Sequence, residues 1–420
     1  MLGSGKVDVS IAVKRGKEVV YLILFGLIMG VVIGSLEVFF GKGLLIVSEW
    51  RLKYFIYLIF LLPVAGLIIE FLYDRYGGRS RQGMGLIFDV NSGAQKTIPL
   101  RLIPIVIVST WLTHLFGGSA GREGVAIQIG GTLAHWCGRY SLAKHIKQYK
   151  FEQIALITGM AAGFSGLFQT PIAAIFFAME IFIVGRLDYR ALLPATVGSF
   201  TAAFMSQSLG LEKFNFKLTA VPELNLSMAV RLIGIGILFG LAGFLFSWGL
   251  KSGKQLAAKL IINRYKRIFV GGLLLVFLML VLHQGRYAGL GSNLIMAAFN
   301  EGTVYPYDFI LKLALTVLTL SIGFQGGEVT PIFAIGSVFG AVLAPLFGIP
   351  VPLGAAIGYI GVFSSATNTF IAPIIMGCEV FGYQLLPYFF VALCLAYTCN
   401  FNVSIYGKQT SLFLKNELNR

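Results

Sequence analysis

The sequence predicts an all-α, polytopic membrane protein made of two repeated halves with broken helices. Three observations carry that expectation. The 420 residues are 57% hydrophobic and 12% charged, with a mean hydropathy of +0.82, whereas soluble domains are about 25% charged. Several apolar stretches approach or exceed the roughly 20 residues a crossing needs. One segment also recurs in the second half of the chain.

In order, apolar stretches run over residues 19–40, 54–73, 98–116 and 232–250. The first follows Lys14, Arg15 and Lys17 and has no small-residue cleavage site near its end. It reads as a retained helix, not a removed signal peptide. Net charge is +15, which in a soluble protein would suggest a nucleic-acid partner. Here the basic residues gather in connectors: Lys14/Arg15/Lys17, Lys144/Lys147/Lys150 and Lys251 through Arg267. That is positive-inside topology, so the N-terminus is expected in the cytoplasm, with no nucleic acid bound.

Between the spans lie glycine- or proline-interrupted segments at 83–87, 117–131, 159–171 and 323–331. Broken helices survive in a bilayer only where protein buries them or they line a cavity. Residues 164–182 align without gaps to 363–381, matching Thr170/Thr369, Ile172/Ile371, Ala173/Ala372, Ile175/Ile374 and Glu180/Glu379. Upstream in each half a glycine-rich break holds a glutamate, Glu123 in one and Glu328 in the other. Matched broken segments mark transporter repeats with a substrate site between them near mid-membrane. The expected division is a single transmembrane domain over 1–420. Its repeats cover approximately 19–210 and 228–407, and 408–420 form a cytoplasmic tail, with no regulatory domain expected after Arg420.

The chemistry centres on Gly121-Arg122-Glu123-Gly124-Val125. A charge at that depth costs roughly +2.5 to +3.5 kcal/mol even on the lenient insertion scale, so Glu123 is expected to face a polar cavity. A helix starting near Val125 would point free N–H groups and the positive dipole end into the break, a ready anion site. Glu123 fills that site as a carboxylate and leaves it when protonated, which is the behaviour of a gate. Arg122 either pins the loop or serves as a snorkelling topology residue. Glu180 and Glu379 read as structural.

Other chemistries find little support. Cys137, Cys378, Cys394 and Cys399 have no metal-ligand spacing, and His114, His135, His145 and His283 form no HExxH-like pattern. A membrane-embedded enzyme lacks a nucleophile or metal cluster. A phosphate-binding loop lacks a preceding strand and a following Gly-Lys-Ser/Thr. No cofactor or metal is expected.

Gly121-Arg-Glu-Gly-x-x-x-Gln-x-Gly130 resembles the second selectivity motif of the CLC family of anion channels and proton-coupled antiporters. The stretch from Gly159 to Glu180 resembles the family's next segment, Gly326-Gly-Glu-Val-Thr-Pro its third motif, and Tyr406 its pore tyrosine. The resemblance implies a homodimer of inverted-repeat subunits with broken and re-entrant helices, each with its own ion pathway gated by Glu123. Chloride-handling members carry Gly-Ser-Gly-Ile-Pro where this chain has Gly83-Met84-Gly85-Leu86-Ile87. The second motif ends in Val125 instead of proline, and Glu328, Val329 and Thr330 precede Pro331 in the third.

Met84 with the altered third motif resembles the fluoride-exporting subgroup. The function implied is export of fluoride in exchange for protons across a cell membrane, probably excluded by nothing in the sequence and placed in the bacterial inner membrane. A chloride/proton antiporter or a passive channel of the same fold is the alternative. The anion-binding candidates are Met84, Gly85, Gly121, Arg122, Gly124, Val125, Val329, Thr330 and Tyr406; Glu123 and Glu328 are the gating and proton-transfer candidates. Thr330 and Tyr406 each bring a hydroxyl able to donate to an anion. Ile181 stands where chloride/proton exchangers of the family carry a second glutamate, so protons need another route, with Glu328 a candidate relay.

Overall fold

The computed structural model describes residues 9–140, 148–218, 221–300 and 302–411. Lys144, Lys147, His145 and the tail beyond Ser411 lie outside them. The first half comprises α1 (Val9–Leu58), α2 (Leu62–Leu72), α3 (Met84–Ser92), α4 (Leu102–Leu115), α5 (Glu123–Arg139), α6 (Gln148–Phe168), α7 (Pro171–Glu180) and α8 (Leu192–Ser208). The second comprises α9 (Leu226–Leu260), α10 (Arg264–Val281), α11 (Ser292–Phe299), α12 (Asp308–Ile322), α13 (Val329–Leu346), α14 (Val351–Thr367), α15 (Ile371–Phe381) and α16 (Leu386–Thr398). The architecture is all-α. The described strands are two-residue pieces, β1 (Ile183–Val184) and β2 (Thr410–Ser411), paired in parallel.

Two expectations from hydropathy change. The apolar stretch 98–116 yields α4, whose 14 residues reach about 21 Å and fall short of a hydrocarbon core of about 30 Å. Residues 54–73 are not one helix either. Tyr54 leaves helical geometry at φ −123°, and Ile59–Leu61 tighten into a 3₁₀ turn before α2. Among the described residues, length and composition sufficient for crossing occur at Arg15–Gln82, Phe151–Phe168, Leu226–Leu260 and Val329–Leu346.

The expected break at 159–171 narrows to Gln169 and Thr170, because α6 runs on through Gly159 and Gly163. These glycines instead allow close packing. A Cβ on Gly159 would stand 2.2 Å from the Gly130 oxygen of α5, and one on Gly130 would stand 2.1 Å from the Gly159 oxygen. The second half repeats the device between α13 and α14, where a Cβ on Gly336 would meet the Gly358 oxygen at 2.0 Å. Small residues let transmembrane backbones approach where lipid offers no hydrophobic drive.

The two halves also exchange helix caps. Glu180, ending α7, accepts from the first N–H groups of the α15 end: Phe370 (2.6 Å), Ile371 (3.2 Å) and Ala372 (3.1 Å). Glu379, in α15, accepts from Ile172 (3.0 Å) and Ala173 (2.9 Å) at the start of α7. Carboxylates satisfy orphan donors and complement the dipole at helix N-termini. These two glutamates therefore have structural work, across the molecule's midline.

Candidate anion site and gate

The two glycine-rich breaks meet backbone to backbone. Gly121 N–H donates to the Gly327 oxygen at 2.5 Å, and Gly327 N–H returns a bond to the Gly121 oxygen at 2.8 Å. Glycine is required there, since a Cβ on Gly121 would stand 2.7 Å from Pro331 Cδ and 2.9 Å from the Gly327 oxygen. The first break is anchored from behind by Lys312 of α12. Its Nζ is fully buried and donates to Ser119 Oγ (2.9 Å), the Tyr287 oxygen (3.0 Å) and the Gly289 oxygen (2.7 Å).

This junction aims Glu123 at the helix of the other half. The helix starts at Glu123 itself, two residues earlier than expected. Glu123 is fully buried, and its Oε2 accepts from Thr330 N–H at 3.0 Å, from the Thr330 hydroxyl and from Arg122 N–H at 3.4 Å. The carboxylate thus sits on the N-terminus of α13, not on that of its own α5. Its oxygen occupies a place where donors converge on an anion. Oε1 has no hydrogen bond; Arg122 Nε stands 3.7 Å from it. Arg122 therefore turns toward the gate instead of snorkelling.

Gly121, Arg122, Glu123, Gly124, Val125, Val329 and Thr330 come together in this layer, with Val125 and Val329 fully buried. The remaining candidates lie one step away. A cavity of about 360 Å³ is lined by Met84, Gly85, Glu328 and Tyr406, together with Lys254 and Lys408. Met84 is half-buried in the first turn of α3. Tyr406 is buried, stacks on Phe88 with centroids 5.5 Å apart, and leaves its hydroxyl without a partner. Glu328 Oε2 lies 3.4 Å from where a Cβ on Gly124 would stand, so it borders both cavity and gate.

Sequence reasoning missed several lining residues. Gln128 Nε2 donates to the Gly124 oxygen at 3.1 Å and its amide faces Gly83 across the cavity; its place in the second motif was the available signal. Lys254 comes from α9 and Lys408 from the segment counted as tail, where it pairs with Asp89. Distant residues of this kind carry no local sequence signal. Ile181 is fully buried. No group of His, Cys, Asp and Glu able to hold a metal occurs among the described residues.

The model of a family described as voltage-gated chloride channels matches residues 65–400. The chain belongs to this CLC family. A "Chloride/fluoride channel protein" of Pseudomonas syringae pv. tomato is 34% identical over 397 residues, covering 93% of this chain and 86% of that protein. The "H(+)/Cl(-) exchange transporter ClcA" of Yersinia pestis bv. Antiqua is 25% identical over 408 residues, covering 89% and 83%. Among solved structures, a CLC-type fluoride/proton antiporter is 49% identical with a TM-score of 0.91, covering 94% of this chain and 98% of that one. A slow cyanobacterial Cl⁻/H⁺ antiporter, 20% identical with a TM-score of 0.78 over 95% and 98%, shares the CLC fold. CLC membership makes this a membrane protein of an ion-transport family.

Proposed function

We propose that the chain is a fluoride/proton antiporter that exports fluoride from the cytoplasm and admits protons. The observation that carries this reading is the Glu123 carboxylate seated on the α13 N-terminus by Thr330. There it stands in for an anion. Protonation weakens its hold on those donors, and an anion arriving from the cavity replaces it. One group thereby links proton binding to anion passage.

Met84 at the cavity wall supports fluoride over chloride by removing the hydroxyl that chloride-handling relatives offer. The similarity to a fluoride/proton antiporter over most of the chain supports the same choice. Thr330 supplies both a backbone and a side-chain donor for the anion, and Tyr406 a free hydroxyl. With Ile181 in place of the usual acid, Glu328 relays protons between the cavity and Glu123. The proposed organisation is a homodimer in a bacterial inner membrane, each subunit having inverted repeats at approximately 19–210 and 228–407.

Purified protein in liposomes tests this reading, with fluoride and chloride efflux recorded alongside proton movement. Fluoride efflux with stoichiometric proton uptake is expected. Chloride flux of similar size would remove the selectivity claim. Fluoride flux without proton movement would make the chain a passive channel, the reading that Ile181 favours.

A further inference from the structure

Glu37 lies in the part of the molecule where α1 packs against α4, α6 and α8. It is fully buried, and neither carboxyl oxygen has a hydrogen-bond partner. Its Cβ and Cγ stand 3.3 Å from where a Cβ on Gly166 would be, so Gly166 provides the room it occupies. An ionised acid alone at this depth is costly. The ionised side chain whose field reaches it is Arg122.

Other charges are absent from its surroundings. α8 has no Asp, Glu, Lys, Arg or His. On α6, Glu152 lies about 21 Å away along the helix from Gly166. On α4, His114 is taken up by the Thr110 and Ala120 oxygens. On α5, Glu123 lies beyond Arg122, and on α1 itself Lys42 is exposed. Arg122 Nε is buried without a hydrogen bond, as is Glu123 Oε1 at 3.7 Å from it. Buried polar atoms are nearly always paired; here the unpaired ones gather on both carboxylates and the guanidinium between them.

We propose that Glu37 and Glu123 share one proton across Arg122, which makes Glu37 a second proton station at the gate. This rests on the antiporter reading above. Two carboxylates and one guanidinium are neutral with one proton, and either other count leaves a net charge in a low-dielectric site. With Glu123 accepting from Thr330 as a carboxylate, Glu37 holds the proton. On transfer, the Glu37 O–H bond breaks and an O–H bond forms on Glu123. Glu123 then leaves α13 as the acid, and Glu37, now ionised, pairs with Arg122 until it takes a proton from water. Glu37 lies about 27 Å along α1 from Val19, near the cytoplasmic end, so that water is on the outer side.

The test compares wild type with Glu37→Gln in liposomes, recording fluoride efflux and proton uptake at several outer pH values. Proton uptake should fall about 100-fold, the low end of what a positioned proton-transfer group contributes, and its dependence on outer pH should disappear. Glu37→Asp, which keeps an acid, should restore part of the coupling and the pH dependence. Wild-type coupling and pH profile in Glu37→Gln would overturn the proposal and leave Glu37 as packing. If the glutamine protein is not monodisperse, Glu37→Met removes the proton acceptor while filling the space, under the same criterion. Absence of proton-coupled fluoride flux in wild type would instead overturn the antiporter reading, and this inference with it.

Discussion

Glu180 and Glu123 both cap a helix of the opposite half, yet they are held differently. Glu180 spreads three backbone N–H bonds over both oxygens. Glu123 takes all its donors on Oε2 and leaves Oε1 with only a distant guanidinium. A fully bonded carboxylate is a fixed cap, because leaving would orphan three buried donors. A half-bonded one can leave when protonated. The chain thus uses one construction, a glutamate on a helix end across the midline, for both a strut and a gate.

The largest expected effect is from Glu123→Gln. Coupled transport should fall by about 10³-fold or more, within the range for losing a proton-transfer group, with little change in thermal stability; wild-type proton coupling in flux assays would end the gate assignment. Glu180→Ala inverts that pattern. Orphaned buried donors cost about 1–3 kcal/mol each, so the melting temperature in detergent should drop by several degrees while the proton-to-fluoride ratio stays constant. A changed ratio would erase the distinction between strut and gate.

Met84→Ser probes the cavity side of the comparison. One added hydroxyl is worth about 1 kcal/mol, so the fluoride-to-chloride flux ratio should fall about fivefold; an unchanged ratio would reduce Met84 to packing. The smallest effect is expected for Lys254→Met, which removes one charge from the cavity wall. Flux should fall about twofold at low salt and less at high salt, as screening of a solvated charge requires. Equal rates at every ionic strength would remove Lys254 from anion entry.

Much of the gate was legible because its residues are contiguous. Gly121 to Val125 and Val329 to Thr330 announced a carboxylate and helix ends in an apolar setting, and the repeat announced that the breaks are paired. The partner of Glu123 was not legible. Its own helix start is two residues from it in sequence, whereas Thr330 is reached only because Gly121 and Gly327 bond to each other. Gly159 misled for a related reason: glycine marks a break and a close helix crossing alike, and only the facing Gly130 distinguishes them. Glu37 gave no signal at all, since one acid in a long apolar helix is ambiguous until its neighbours are known.

By itself the sequence determined the bilayer as solvent, the doubled plan and the position of the ionisable gate. Those follow from local properties: hydropathy, spacing, and the cost of a charge among apolar residues. Tertiary structure decided which helix end each glutamate caps, which residues from distant segments wall the cavity, and which carboxyl oxygens stay unpaired. These depend on the closeness of two backbones joined through glycine, a distance that no stretch of sequence encodes alone.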